Sequence, residues 1–153
     1  MIQRKQTLFL IFSILIMAGY IYAPLIQVIT GKTIQYVYTD SMLLSPNINF
    51  PIIGRYFVFS CIIGAGITIG LNFLTIFLYR FRKLQIAFCW ISIVPAIFCF
   101  CYVYYKMTTT DQISDQLFYY GNISPVAAVV FIFLAMWGIR QDEELVKSVD
   151  RLR

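Results

Sequence analysis

Four long apolar runs constrain this chain more than any other feature: Thr7–Ile29, Ile52–Tyr79, Ile86–Tyr105 and Ile123–Ile139. Apart from Arg55, near the start of the second, none of them carries a charged residue. A helix rises about 1.5 Å per residue, so each run is long enough, or nearly so, to cross a hydrocarbon core of about 30 Å. The expectation is an all-α membrane protein, a four-transmembrane-helix bundle with helices at about 7–29, 52–79, 86–105 and 123–139. The whole chain, 1–153, reads as a single integral membrane domain with a helical tail over 140–153. Of its 153 residues 12% are charged, against roughly 25% in soluble domains. The hydrophilic stretches Thr30–Pro51, Lys106–Asn122 and Arg140–Arg153 are too short to bury a core of their own.

Histidine is absent. That argues against haem b, zinc hydrolase and Ser-His-Asp chemistry, each of which leans on imidazole. The four cysteines, Cys61, Cys89, Cys99 and Cys101, all fall inside expected spans and form no C-x-x-C. Membrane oxidoreductases of disulfide formation need cysteine pairs at the outer face, so these four read as buried, inert, small apolar residues. No catalytic set, no metal set and no cofactor is expected.

Lys and Arg divide unevenly. Arg4, Lys5, Arg80, Arg82, Lys83, Arg140, Lys147, Arg151 and Arg153 fall on one side, and Lys32, Arg55 and Lys106 on the other. The positive-inside rule then puts both termini and the Arg80–Lys83 loop in the cytoplasm. The net charge of +5 belongs to that face and suits anionic membrane lipids. Nucleic acid is not an expected partner, because the basic groups are short clusters at span ends. The first run is too long for a signal-peptide core and lacks an A-x-A-like site, so it reads as a retained helix. Tyr20, Tyr22, Tyr56, Tyr102, Tyr104, Tyr105, Tyr119 and Tyr120 near the outer ends, with Tyr79, Trp90 and Trp137 near the inner ends, read as aromatic belts.

Within the spans, Gly66 and Gly70 form G-x-x-x-G, and Ser60, Gly64 and Thr68 repeat the small spacing beside them. Small residues let helix backbones approach closely in lipid. The expectation is packing inside the bundle rather than homodimerisation. Asn72 is expected to hydrogen-bond a neighbouring helix. Pro24 and Pro95 sit inside the first and third spans, where each removes a backbone donor and reads as a shape adjustment rather than a gate. Beyond Arg55, which can snorkel to the surface, no acid or base lies well inside a span, which argues against an ion-coupled transporter.

In the outer loops, Lys32–Asp40 alternates with period two and is rich in β-formers, until Ser45-Pro46-Asn47 breaks the pattern. Ile113–Tyr120 is a weaker strand, and the two strands are expected to pair into a small β cap. Asp111 and Asp115 read as solvated loop acids. The glycosylation sequon Asn122-Ile123-Ser124 abuts a span and precedes Pro125, so no glycan is expected. The tail is amphipathic, with Leu145, Val146, Val149 and Leu152 on one face. Glu143 to Lys147 and Asp150 to Arg153 are favourable pairings. That face, starting just past Arg140, is the candidate partner-docking surface.

The start Met1-Ile2-Gln3-Arg4-Lys5-Gln6-Thr7-Leu8, the loop Leu78-Tyr79-Arg80-Phe81-Arg82-Lys83-Leu84-Gln85 and the stretch from Gly138 to Arg153 together resemble an uncharacterised bacterial membrane family, domain of unknown function 4293. The resemblance implies a small four-span inner-membrane protein and carries no activity and no functional residue.

Two functional expectations follow. The first is a non-enzymatic accessory or interaction subunit of a larger inner-membrane complex. The second is a lipid- or quinone-binding carrier or enzyme with an apolar pocket inside the bundle near Pro24, Asn72 and Pro95. The charge asymmetry makes one directly checkable prediction. A cytoplasmic reporter fused at residue 153 should be active and a periplasmic one silent; the opposite pattern would reverse the topology.

Overall fold

The computed structural model describes residues 3–30, 33–38, 52–78, 81–109, 116–118 and 120–151. The elements are α1 (Gln3–Tyr22), β1 (Pro24–Thr30), β2 (Thr33–Tyr38), α2 (Ile52–Phe77), α3 (Arg82–Thr109), β3 (Gln116–Phe118), a 3-10 turn (Tyr120–Ile123) and α4 (Ser124–Arg151). All four helices are long and apolar enough to cross a membrane. Only 28% to 39% of the residues in their apolar windows are buried inside the molecule, so most of the apolar surface faces outward, as lipid-exposed helices require.

Each helix packs against its chain neighbours, and α4 closes the ring against α1. The result is an up-down-up-down bundle. One end carries the start of α1, the α2–α3 turn and the end of α4 (the terminal end). The other carries the strands (the sheet end). Two apolar clusters fill the interior. Leu10, Cys89, Ile93, Ile132, Ala135, Met136 and Ile139 form the one nearer the terminal end. Met17, Tyr20, Cys61, Ala65, Cys99, Val103 and Ala128 form the one nearer the sheet.

The first span is shorter than its apolar run. The helix expected over 7–29 stops at Tyr22, and Pro24 heads a strand instead of kinking a helix. Pro24 has no amide hydrogen, and it disfavours helical geometry at Ala23. The β-branched residues Ile26, Val28, Ile29 and Thr30 then suit a strand. β1 lies at the centre of a three-stranded antiparallel sheet of order β2-β1-β3. It pairs with β2 from Pro24↔Tyr38 to Thr30↔Thr33, with an irregularity between Pro24 and Ile26. With β3 it pairs from Ile26↔Phe118 to Val28↔Gln116. The two loop segments therefore do not pair with each other as expected, because residues taken for membrane span lie between them. The residues Asp40, Ser45, Pro46, Asn47, Asp111 and Asp115 lie outside those described.

Two further expectations are corrected. Tyr20 is no belt residue but is fully buried, whereas Tyr22, Tyr104, Tyr105, Trp90 and Trp137 are exposed. Cys101 is exposed, while Cys61, Cys89 and Cys99 are buried, and all four are free thiols. Helix α3 continues through Pro95 from Arg82 to Thr109. The fourth span and its tail form one helix, Ser124–Arg151, which opens with Pro125 in the first turn, where a missing amide hydrogen costs nothing.

The glycines of α2 divide by face. Thr68 and Asn72 are fully buried, so they mark the inner side. Gly66 precedes Thr68 by two residues, which at about 100° per residue puts it on the far side. Gly66 and Gly70 are exposed, and a Cβ on either would meet nothing within 4 Å. Their G-x-x-x-G spacing therefore does not pack the bundle interior. Gly64 does: a Cβ there would sit 2.6 Å from Cys99 Sγ and 3.6 Å from Pro95 O. Gly64→Ala should therefore lower stability, by about 1 kcal/mol or more for overpacking, and the loss should shrink in a Cys99→Ala background. Gly66→Ala and Gly70→Ala should be neutral or stabilising by up to about 1 kcal/mol through helix propensity. Denaturation of the four variants in detergent micelles checks both halves.

Candidate functional site

The interior polar groups concentrate toward the terminal end, and they link all four helix pairs. Between α2 and α1, Asn72 Nδ2 donates to Ser13 Oγ at 2.9 Å, both residues being fully buried. Asn72 is thus the interhelical hydrogen-bonding residue that its position in the sequence suggested. Between α3 and α2, Gln85 Nε2 donates to the Thr75 carbonyl at 3.2 Å. Between α4 and α3, Arg82 Nη1 donates to the Asp142 carbonyl at 2.7 Å. Between α1 and α4, Gln6 Nε2 donates to Asp142 Oδ2. The Gln6 chain reaches Asp142 over Gly138, where an added Cβ would stand 3.0 Å from Gln6 Cγ.

Three buried hydroxyls bond within their own helices: Thr68 to the Gly64 carbonyl at 2.9 Å, Thr75 to the Leu71 carbonyl at 2.7 Å and Ser92 to the Cys89 carbonyl at 2.9 Å. Among the described residues, the buried oxygens Asn72 Oδ1 and Asp142 Oδ1 have no hydrogen-bond partner. Asp142 is 7% exposed and is the one buried acid among the described residues. It falls within the charged tail by sequence, yet it closes the interior.

Sequence reasoning missed Gln6, Ser13, Gln85 and Asp142, although a signal was present. Gln6, Leu10, Ser13, Met17 and Tyr20 follow one another at intervals of three or four, and so do Ala128, Ile132, Ala135, Ile139 and Asp142. Both series are single helix stripes, and every member is buried. A polar residue on such a stripe belongs to the interior.

The remaining candidates do not gather at one place. Ser60 and Gly64 line a groove of about 550 Å³ between α2 and α3, with Ile67, Val94, Pro95 and Phe98, on the membrane-facing side. Pro24 lies at the sheet end, Asn72 is engaged nearer the terminal end and Pro95 faces the groove, so these three do not line one interior pocket. Leu145 and Val146 are exposed on the last turns of α4, and Arg140 is exposed one turn before them. Val149 lies on the same helix, its side chain outside the described residues, as is the whole of Leu152. Among the described residues no group of three or more metal-ligating His, Cys, Asp or Glu side chains occurs.

The family model described as "Domain of unknown function (DUF4293)" matches residues 2–152. The chain therefore belongs to that family, for which no activity is assigned. No curated protein and no solved structure matches it.

Interhelical hydrogen bonds in membranes average about 0.6 kcal/mol and reach about 1.7. A double-mutant cycle of Ser13→Ala and Asn72→Ala should give a coupling in that range. Gln6→Ala should cost more, about 1–3 kcal/mol, because it strips a buried carboxylate of its donor. Reversible unfolding in mixed micelles reads both.

Proposed function

We propose that the protein is a non-enzymatic accessory subunit of a larger complex in a bacterial inner membrane, with both termini in the cytoplasm. The observation that carries this reading is the course of α4. Its buried stripe, Ala128 to Asp142, continues at the same spacing into Val146 and Val149, with Leu145 beside them. A 28-residue helix is about 42 Å long, more than a hydrocarbon core of about 30 Å. The stripe that the bundle covers up to Asp142 is left uncovered beyond it, with Leu145 53% and Val146 46% exposed. An apolar helical stripe that outruns its own bundle suits a partner's groove. The acids Glu143, Glu144 and Asp150 among the tail's bases weaken simple attraction to anionic lipid and favour a protein partner. The docking residues are Leu145, Val146, Val149 and Leu152, with Arg140 at the span end.

The groove between α2 and α3 favours a second reading, in which the protein binds a lipid or quinone as a carrier or enzyme. Its walls are almost wholly apolar, with Ser60 the one polar side chain among the lining residues. Purification in mild detergent separates the two readings. Stoichiometric co-purifying subunits support the first; a solitary protein carrying lipid or quinone supports the second. For the first, Leu145→Ser with Val149→Ser should release the partner, since each fully buried side chain contributes roughly 1.5–3 kcal/mol, while all four spans still insert. Recovery of the same partners at wild-type yield would exclude the tail as the docking element.

A further inference from the structure

Asp142 poses an electrostatic problem that the bundle leaves open. The residue is 7% exposed, its Oδ2 accepts from the neutral Gln6 amide, and its Oδ1 has no partner. The nearby guanidinium of Arg82 is directed to the backbone carbonyl of Asp142, not to its carboxylate. A buried carboxylate needs a paired cation or a full set of donors, and one neutral amide is neither.

The depth of the group narrows what can complete it. Asp142 lies 18 residues after Ser124, the first residue of α4, which is about 27 Å along the helix. In a bilayer with a core of about 30 Å this is the level where acyl chains meet headgroups. The same end of the bundle carries cations on the two helices that contact Asp142: Lys5 on α1, next to Gln6, and Arg82 and Lys83 on α3. Lys5 and Lys83 are exposed and Arg82 is half-buried. A recessed negative oxygen inside a positive rim matches a headgroup whose cation lies beside its own anion.

We propose that the corner of α1, α3 and α4 binds a phospholipid headgroup that bears a primary amine, of the phosphoethanolamine type. The ammonium donates a hydrogen bond to Asp142 Oδ1, and the phosphate lies among Arg82, Lys83 and Lys5. Oδ1 is covered in the structure, so the amine reaches it by displacing a side chain. Gln6, an uncharged side chain lying over Gly138, is the neighbour that moves. Charge alone would not separate an ethanolamine from a choline headgroup. Hydrogen bonding does, because a quaternary ammonium has no N–H to donate to a carboxylate. A charge-assisted bond is the stronger kind and gives the site its selectivity.

The test uses the full-length protein in neutral detergent, exchanged into mixed micelles doped in turn with phosphatidylethanolamine, phosphatidylcholine and phosphatidylglycerol. Lipid retained per protein is read by native mass spectrometry. Phosphatidylethanolamine should be retained about tenfold more than phosphatidylcholine, the scale of one hydrogen bond to a charged group. Asp142→Asn preserves the shape and should bring that ratio close to one, with helix content by circular dichroism unchanged. Lys83→Gln with Lys5→Gln should weaken retention of phosphatidylethanolamine and phosphatidylglycerol alike. Displacement of the bound lipid by soluble phosphoethanolamine would assign the recognition to the headgroup, and failure of displacement to the intact lipid. Equal retention of the ethanolamine and choline lipids by the wild-type protein would overturn the proposal without reference to any variant. So would an undiminished preference in Asp142→Asn.

Discussion

The bundle depends on polar contacts between helices, because lipid offers helices no hydrophobic reason to associate. Acyl chains are as apolar as the leucines and isoleucines they touch, so association rests on close packing and on hydrogen bonds. The four helix pairs are linked by Asn72 to Ser13, Gln85 to Thr75, Arg82 to Asp142 and Gln6 to Asp142. Together these links form a closed circuit near the terminal end. Each is modest alone. As a set they select one register, since sliding any helix by a turn would strand a polar group in hydrocarbon, at a cost of several kcal/mol. The apolar clusters on either side of Ser13 and Asn72 then pack within a register already chosen.

The sheet end is organised differently. Here the close approach of backbones replaces side-chain hydrogen bonding. A Cβ at Gly121 would run into the carbonyl of Pro24, so the turn before α4 lies directly against the head of β1. Proline and glycine at these two places belong together: one ends a helix and starts a strand, and the other leaves room for that junction. On α2 the same economy of side chain operates inward at Gly64 but not at Gly66 or Gly70.

Much of this was legible in the sequence, and the failures share a cause. Apolar length located the four spans and polar Asn72 announced its bond, because burial of bulk and of hydrogen-bonding groups is dictated by composition. Direction around or along the chain was harder. Hydropathy does not distinguish a membrane helix from an apolar strand, so Leu25–Ile29 was absorbed into the first span although Pro24 stood at its boundary. Spacing of small residues does not say which face they occupy, so Gly66 and Gly70 were placed inside although Thr68, Asn72 and Thr75 define the opposite face. Charge suggests solvent, so Asp142 was grouped with the tail although it completes the stripe of Ala128, Ile132, Ala135 and Ile139. In each case a local rule was overridden by periodicity over a longer window.

The separation in sequence of the closing contacts sets an order of assembly. Gln6 and Asp142 are 136 residues apart, and β1 acquires its second neighbour, β3, only after α2 and α3 have been made. During synthesis the hairpin of β1 and β2 is complete early, whereas α1 must wait in the bilayer with Gln6 and Ser13 unsatisfied. Ser13 is relieved when α2 arrives, Gln6 only when the end of α4 does. A ribosome that stops within α4 but short of residue 142 therefore releases a bundle with an open seam between α1 and the missing end of α4. The unsatisfied Gln6 amide at that seam is the chemical difference between an unfinished chain and a finished one.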